Sequence, residues 1–366
     1  MLVKDIIQAI ETYASPVFQE GYDNSGLQIG DLNDEVKGVL ISLDVTEDIL
    51  QEAIQRDANM IVVHHPLLFT GLKQISGRNY IERIVRMAIK NDLNIYACHT
   101  NLDNVHNGVN AKIAEKLGLQ NTSILSQMGN SLFKLYTYAP VDVADKVREA
   151  MFAAGAGTIG EYSECSFNTH GTGTFRPGQN TNPVIGEPGG KREHVNEVKI
   201  EVLVDKAQQH RVIKALVEAH PYEEVAYELV QLHNANQELG AGMIGDLPQA
   251  MDEQALMHHI KTNMKAACIR HTPFSGKQIK KVAMCGGSGS FLLKDAIRQG
   301  ADAFITADFK YHQFFDADGK ILIADIGHYE SEQFTGEIFR DIINKKFPNF
   351  ATLLSSLSTN PVNYYY

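Results

Sequence analysis

In the first third of this chain, short wholly apolar runs alternate with stretches whose apolar residues recur every three or four positions. VKGVLISLDV (36–45), NMIVVHHPLLF (59–69) and LNIYACHT (93–100) hold the unbroken runs. Such runs mark strands covered on both faces, as in a sheet flanked by helices. VKDIIQAIETYA (3–14), TEDILQEAIQRDA (46–58), YIERIVRMAIK (80–90) and VNAKIAEKLGL (109–119) predict amphipathic helices. Thr46, with Asp48 behind it, reads as a helix start. The last third repeats this grammar. IKKVAMCGG (279–287) predicts a strand running into a glycine-rich loop, and SFLLKDAIRQG (290–300) a helix closed by glycine. ADAFITAD (301–308) and KILIADIGH (320–328) predict strands, and SEQFTGEIFRDIINKKF (331–347) one amphipathic helix.

The middle of the chain reads differently. SLFKLYTYAP (131–140), NEVKIEVLVD (196–205) and VAYELVQL (225–232) alternate like half-exposed strands. VADKVREAMFAAG (143–155) and AQQHRVIKALVEAH (207–220) are helical, and GEYSECSFNTHGTGTFRPG (160–178) is rich in glycine and threonine. The order is β-α-β-β-α-β, the ferredoxin-like pattern. The expected fold class is α/β. Two similar α/β lobes form one core over residues 1–128 and 237–366, with an inserted ferredoxin-like α+β domain over 129–236.

Composition narrows the function classes. An apolar share of 44% with 21% charged residues is that of a globular protein and excludes wholesale disorder. The 33 Lys and Arg against 44 Asp and Glu leave a formal charge of −11. That balance weighs against a sequence-independent nucleic-acid binder, which needs clustered cations. The cysteines at 98, 165, 268 and 285 form no Cys-x-x-Cys pair, against a zinc ribbon or redox pair. With charge in its first turn and no apolar run of membrane length, the chain is expected to be cytoplasmic and to have no membrane partner.

Candidate chemistry lies where polar residues interrupt the strands. NMIVV runs into His64-His65-Pro66, LNIYAC into His99-Thr100-Asn101-Leu102-Asp103, and KILIADIG into His328 with Glu332 four residues on. Ligands of open α/β sheets bind at the carboxyl ends of strands. Adjacent histidines point to opposite faces within a strand. At a strand's last residue, with proline breaking the pattern, both imidazoles can turn into one pocket. His328 and Glu332 are i and i+4 and share one face of a helix turn. Imidazoles with two carboxylates, one able to bridge, suit two divalent ions: zinc first, or iron, manganese or nickel. The expected ligands are His64, His65, Asp103, His328 and Glu332. His258-His259, by contrast, lies in a helical stretch where neighbours diverge by about 100°.

Further candidates surround these five. Asp44 and Asp325 can orient the imidazoles, or else cap helices. His312 is the candidate catalytic acid/base; His99 can do the same or bond Asp103. Gly286-Gly287-Ser288-Gly289 can cradle phosphate or form a plain tight turn. Cys98 and Cys285 read as small core residues. In His220-Pro221-Tyr222-Glu223-Glu224, a packed turn is preferred over a regulatory ligand or metal site.

The motifs YDNSGLQIG (22–30), VVHHPLLF (62–69), HTNLDN (99–104), GGSGS (286–290), ITADFKYH (305–312) and DIGHYESE (325–332) stand in order along the chain. Together they resemble the Ngg-interacting-factor-three-like family, whose members are called GTP cyclohydrolase 1 type 2 homologs. The middle segment resembles the PII/CutA-like domain of a longer bacterial branch. Tyr22 stands where many relatives carry tryptophan, at a non-ligand position. The resemblance implies a dinuclear metal site on the same five residues. It also implies a homohexameric ring of two trimers, with the metals facing an internal cavity.

Function is therefore expected to be that of a dinuclear metal-dependent hydrolase of GTP cyclohydrolase 1 type 2 kind, acting on a nucleotide or related small molecule. The alternative is a non-catalytic metal-binding, metal-delivery or regulatory interaction protein with a ligand-sensing insert.

Overall fold

The computed structural model describes residues 1–365 and divides into two compact units. One contains Met1–Gln127 together with the chain from Gln237 onward; the other is Met128–Asn236. The first unit holds two sheets. In one, the strands run in the order Gly26–Ile29, Asn94–Ala97, Met60–Val63, Val39–Ser42, Thr352–Leu354. All its pairings are parallel except that of Gly26–Ile29 with Asn94–Ala97. The three central strands are buried at every position, as their unbroken apolar runs require. Helices Glu47–Gln55 and Tyr80–Lys90 cover them through Ile49, Leu50, Ile84 and Val85, which pack on Leu40, Ile61 and Ile95. Thr46 caps the first of these helices, its hydroxyl accepting the Ile49 N–H at 3.2 Å.

The second sheet is ordered Arg270–His271, Leu322–Asp325, Ala303–Ala307, Gln278–Ser288, Asn236–Asp252, Gln120–Met128. Its three middle strands, Leu322–Asp325 to Gln278–Ser288, are parallel, so their carboxyl ends share one edge. The helix Leu293–Arg298 ends as its sequence predicts. Gly300 takes φ +73°, and the N–H of Ala301 reaches back to the Ala296 carbonyl at 3.0 Å.

Two features differ from the sequence reading. The stretch 331–347 is not one helix: a short helix His328–Glu332 precedes a separate one, Thr335–Lys346. Helical periodicity runs through both and hides the break between them. The C-terminal strand Thr352–Leu354 joins the sheet built by the first hundred residues, beside Val39–Ser42. Nothing local in ATLL announces a long-range parallel partner.

In the other unit, strands Leu132–Pro140, Ser166–Phe175, Glu193–Asp205 and Tyr227–Leu232 form an antiparallel sheet ordered second, third, first, fourth. Helices Ala144–Ala153 and Gln209–Ala219 pack Val147, Met151, Val212 and Leu216 on Leu135, Ile200 and Val202. Among the described residues no helix is long and apolar enough to cross a membrane.

The excursion after His65 is anchored by Glu82. Its carboxylate accepts the N–H groups of Ser76 and Arg78 at 2.9 and 3.0 Å, the Ser76 hydroxyl at 2.7 Å and the Asn79 amide at 3.0 Å. The Arg78 backbone and Ser76 hydroxyl bonds lower its pKa from an ordinary 4.5 to about 2. The stabilising contribution is complete above about pH 4.5 and is lost as pH falls toward 2. Glu82→Gln is expected to lower the unfolding midpoint at pH 7 by roughly 2 °C. Thermal melts across pH should show the gap from wild type closing on acidification; a gap that widens contradicts the clamp.

Candidate metal centre

The Met60–Val63 strand ends against the Leu43 carbonyl, which accepts the N–H groups of both His64 and His65 at 3.1 Å. That shared acceptor turns the chain, and the two rings come to 4.9 Å between centroids. The Asn94–Ala97 strand leads through His99 into the short helix Thr100–Asp103, which carries Asp103. From the second sheet, Leu322–Asp325 leads into the helix His328–Glu332, whose i,i+4 pair meets at 3.1 Å between Nε2 and Oε2.

Glu332 is the centre of the group. Its Oε2 lies 3.0 Å from His65 Nε2 and 3.1 Å from His328 Nε2, and these two nitrogens are 3.3 Å apart. Its Oε1 lies 3.9 Å from His64 Nε2, which is 3.5 Å from Asp103 Oδ1. The trios His65–His328–Glu332 and His64–Asp103–Glu332 each bring their ligand atoms within 4.8 Å of one another. The structure thus brings all five sequence-predicted residues together. His64 is wholly buried, yet its Nε2 and the Asp103 Oδ1 have no hydrogen-bond partner among the described residues. Burying an unpartnered nitrogen and carboxylate oxygen costs free energy, and a cation between them would satisfy both. The donor set fits a divalent metal.

The imidazoles are held from behind. His65 Nδ1 bonds Asp44 at 2.7 Å, His328 Nδ1 bonds Asp308 at 2.6 Å, and His64 Nδ1 bonds the Cys98 carbonyl at 3.0 Å. An acceptor at Nδ1 fixes the proton there in a neutral ring and leaves Nε2 as the ligating lone pair. Burial lowers the His64 pKa to about 3. It also opposes charge on His65 and His328, but there the bonds to Asp44 or Asp308 and to Glu332 prevail, raising them to about 9 and about 11. Burial pushes Asp103 well above the carboxylate range, helped by the charge of Glu332. Burial works the same way on Glu332, but hydrogen bonds from His328 and His65 hold its carboxyl below that range.

Other candidates fall differently. Asp44 orients His65 as expected, whereas Asp325 pairs with Arg270 and accepts the Phe309 N–H, touching no imidazole. Asp308 takes the orienting role instead, with its backbone in the left-handed region at φ +58°. His99 bonds Asp23 at 2.8 Å rather than Asp103, and its ring stands 5.2 and 5.4 Å from those of His64 and His65. Asp23 also accepts the N–H and hydroxyl of Thr100; these bonds outweigh burial and keep its carboxyl strongly acidic. His312 is not in this group. It is exposed and packs on the rings of Tyr311 and Phe315. The roles of Asp23 and Asp308 were not legible in the sequence, because the histidines they hold lie 76 and 20 residues away. Asp308 stands in ITADFKYH, a motif that also carries His312, whereas Asp23 stands in YDNSGLQIG, which has no histidine.

The glycine run is no phosphate cradle, because its amides are already used. The N–H groups of Gly286, Gly287 and Gly289 donate to Asn110 Oδ1, Ser331 Oγ and Thr306 Oγ1. The glycines serve clearance instead. A Cβ at Gly287, where φ is +59°, would stand 2.5 Å from Glu332 Oε1 and 3.1 Å from His328 Cε1. His258 and His259 bond helix-end or helix-interior carbonyls, as their spacing predicts. His220 holds a turn by bonding the Tyr138 carbonyl and the Tyr222 N–H.

A family model described as Duf34/NIF3 (NGG1p interacting factor 3) matches residues 1–361. The chain belongs to the Duf34/NIF3 family. The GTP cyclohydrolase 1 type 2 homolog of Halalkalibacterium halodurans is 40% identical over 365 residues, 98% of each chain. That of Bacillus subtilis is 36% identical over 367 residues, 99% of this chain and 98% of the relative. A crystal structure of a Bacillus cereus protein related to NIF3 matches with a TM-score of 0.87 at 39% identity, covering 100% of this chain and 99% of the other.

Gly287→Ala is expected to displace Glu332 and cost about 1–3 kcal/mol through the left-handed backbone and the lost clearance. Calorimetry with metal analysis checks it: a variant as stable as wild type that binds metal equally well contradicts this role for Gly287.

Proposed function

We propose that this NIF3-family protein is a dinuclear metal-dependent hydrolase of the GTP cyclohydrolase 1 type 2 kind. Its substrate is a nucleotide or related small molecule. The observation that carries the metal reading is the division of Glu332, with one carboxylate oxygen in each trio, beside the unpartnered His64 Nε2 and Asp103 Oδ1. His65, His328 and Glu332 would hold one ion; His64, Asp103 and Glu332 would hold the other. Zinc suits this mixed nitrogen and oxygen set, and iron, manganese or nickel are the alternatives. Divalent ions held there would supply Lewis acidity to the bond attacked and to water.

What the chain itself contributes is position. Asp44, Asp308 and the Cys98 carbonyl fix three imidazoles. The centre opens on a cavity of about 830 Å³ whose wall includes His65, His99 and His328. A substrate-sized space beside the ligands supports catalysis over storage, since storage sites are closed. His99, held by Asp23 and lining the cavity, is in neither trio that contains Glu332, although its ring also comes within ligand reach of His64 and His65. It replaces His312 as our candidate for holding or moving a proton, at the ring nitrogen not bonded to Asp23. One observation favours the non-catalytic reading for half of the centre: His64 is fully enclosed, as at a structural ion.

We also read the two sheets of the larger unit as two lobes of one core, and residues 129–236 as an inserted ferredoxin-like domain. The β-α-β-β-α-β order supports this, as does the adjacency in one sheet of the strands that flank the segment. The ring of two trimers implied by the family resemblance belongs to the same proposal.

Purified protein is expected to carry two ions per chain by elemental analysis, and Glu332→Gln to lose at least one. Two ions retained in that variant would sink the shared-carboxylate assignment. With nucleotide turnover as readout, His99→Gln should lose about 100-fold or more in kcat with metal retained. His312→Ala should match wild type. The reverse pattern returns the proton-transfer role to His312, and no turnover with any metal leaves the non-catalytic reading. Deleting 129–236 should leave a folded unit with its metals; an unfolded or metal-free product contradicts the insertion.

A further inference from the structure

Arg270 has no part in holding the metal centre, yet it lines the same cavity. It sits in the edge strand Arg270–His271, directly across from Asp325 in the antiparallel register with Leu322–Asp325. Its Nη2 is committed twice, to the Asp325 carboxylate and to the Phe309 carbonyl at 2.9 Å. The Phe314 ring lies 5.5 Å from the guanidinium carbon. Asp325, the counter-charge, is itself buried and fixed by the N–H groups of Phe309 and Gly327 at 2.9 and 3.2 Å. The guanidinium is therefore pinned on rigid strands, while its side chain stays 56% exposed. Its other N–H groups have no protein partner among the described residues.

The carboxylates on this wall other than Asp325 are hydrogen-bonded to other groups. Asp44 is bonded to His65 and Thr359, Asp308 to His328, and Glu330 to Asn360 and Tyr364. Among the described residues, Arg270 is the one lysine or arginine on the cavity wall. A preorganised guanidinium attracts a carboxylate or phosphate through charge-assisted hydrogen bonds from its uncommitted Nε and Nη1 N–H groups. Exposed Phe69 and Val362 give the same cavity an apolar flank.

We propose that Arg270, held by Asp325, is the anion-recognition residue of this cavity, and that the molecule bound in front of the His/Glu cluster carries a phosphate or carboxylate on an apolar or planar body. This rests on the cavity being the substrate site of the proposed hydrolase, and it adds the substrate class. The test is calorimetric binding to the full-length metal-loaded protein, with guanosine monophosphate, guanosine, phenyl phosphate and benzoate as probes. Guanosine monophosphate and at least one of the small anions should bind, with guanosine weaker by about tenfold or more. Arg270→Gln should lose about tenfold or more for the anions and little for guanosine, while Arg270→Lys recovers part of the loss. Metal content, measured on each variant, should stay unchanged.

The arms separate the sources: phenyl phosphate preferred over benzoate assigns a phosphate, and the reverse a carboxylate. Anions that bind Arg270→Gln as tightly as wild type are held by the metals alone and overturn the proposal, as does guanosine binding equal to the monophosphate. Arg270-dependent binding without turnover keeps the anion site and removes the hydrolase reading. Turnover that is indifferent to Arg270 does the opposite.

Discussion

The candidate centre depends on one buried carboxylate. Glu332 is 3% exposed, and a carboxylate taken out of water must be matched by charge or hydrogen bonds. His65 and His328 meet one oxygen; His64 and Asp103 stand beside the other. Those partners arrive from three strand ends, His64 and His65 sharing one, so both sheets of the larger unit must be in place before Glu332 is compensated. The glycine pair at 286–287, within an irregular stretch of the strand Gln278–Ser288, completes the constraint by leaving room for that side chain.

To bind metal, the two trios would need neutral imidazoles, while the surrounding carboxylates favour charged ones. Asp44, Asp308 and Glu332 raise His65 and His328 far above an ordinary histidine. In the metal-free protein these two rings are the cations that balance Glu332. Divalent ions would take over that charge balance and accept the same Nε2 lone pairs, with the Nδ1 bonds unchanged. His64 differs because full burial opposes its charge and a backbone carbonyl, not a carboxylate, holds its Nδ1. One pair of adjacent residues thus supplies two imidazoles of opposite electrostatic character.

The candidate ligands were legible in the sequence because they stand just beyond apolar runs, and parallel strands deliver such residues to a common edge. Even the turn at His64-His65 followed from proline after the pair. Their supporting residues were less legible. Asp23 and Asp308 act on histidines far along the chain, and Asp325 and Asp308, both at strand ends, exchange the roles that position alone would give them. His312 shared a motif with Asp308 but follows the chain out to solvent in a 3₁₀ turn. The glycine run kept its strand-to-turn geometry, but its amide partners, Asn110, Ser331 and Thr306, come from three remote segments. Arg270 carried no signal at all: a lone arginine before His271 acquires meaning only from its register opposite Asp325.

The most direct test of the central claim is anomalous diffraction from crystals of the protein grown with zinc. The account predicts two peaks about 3.5–4 Å apart, one beside His65 and His328, one beside His64 and Asp103, with Glu332 contacting both. A single peak, or two peaks that do not share Glu332, would contradict it.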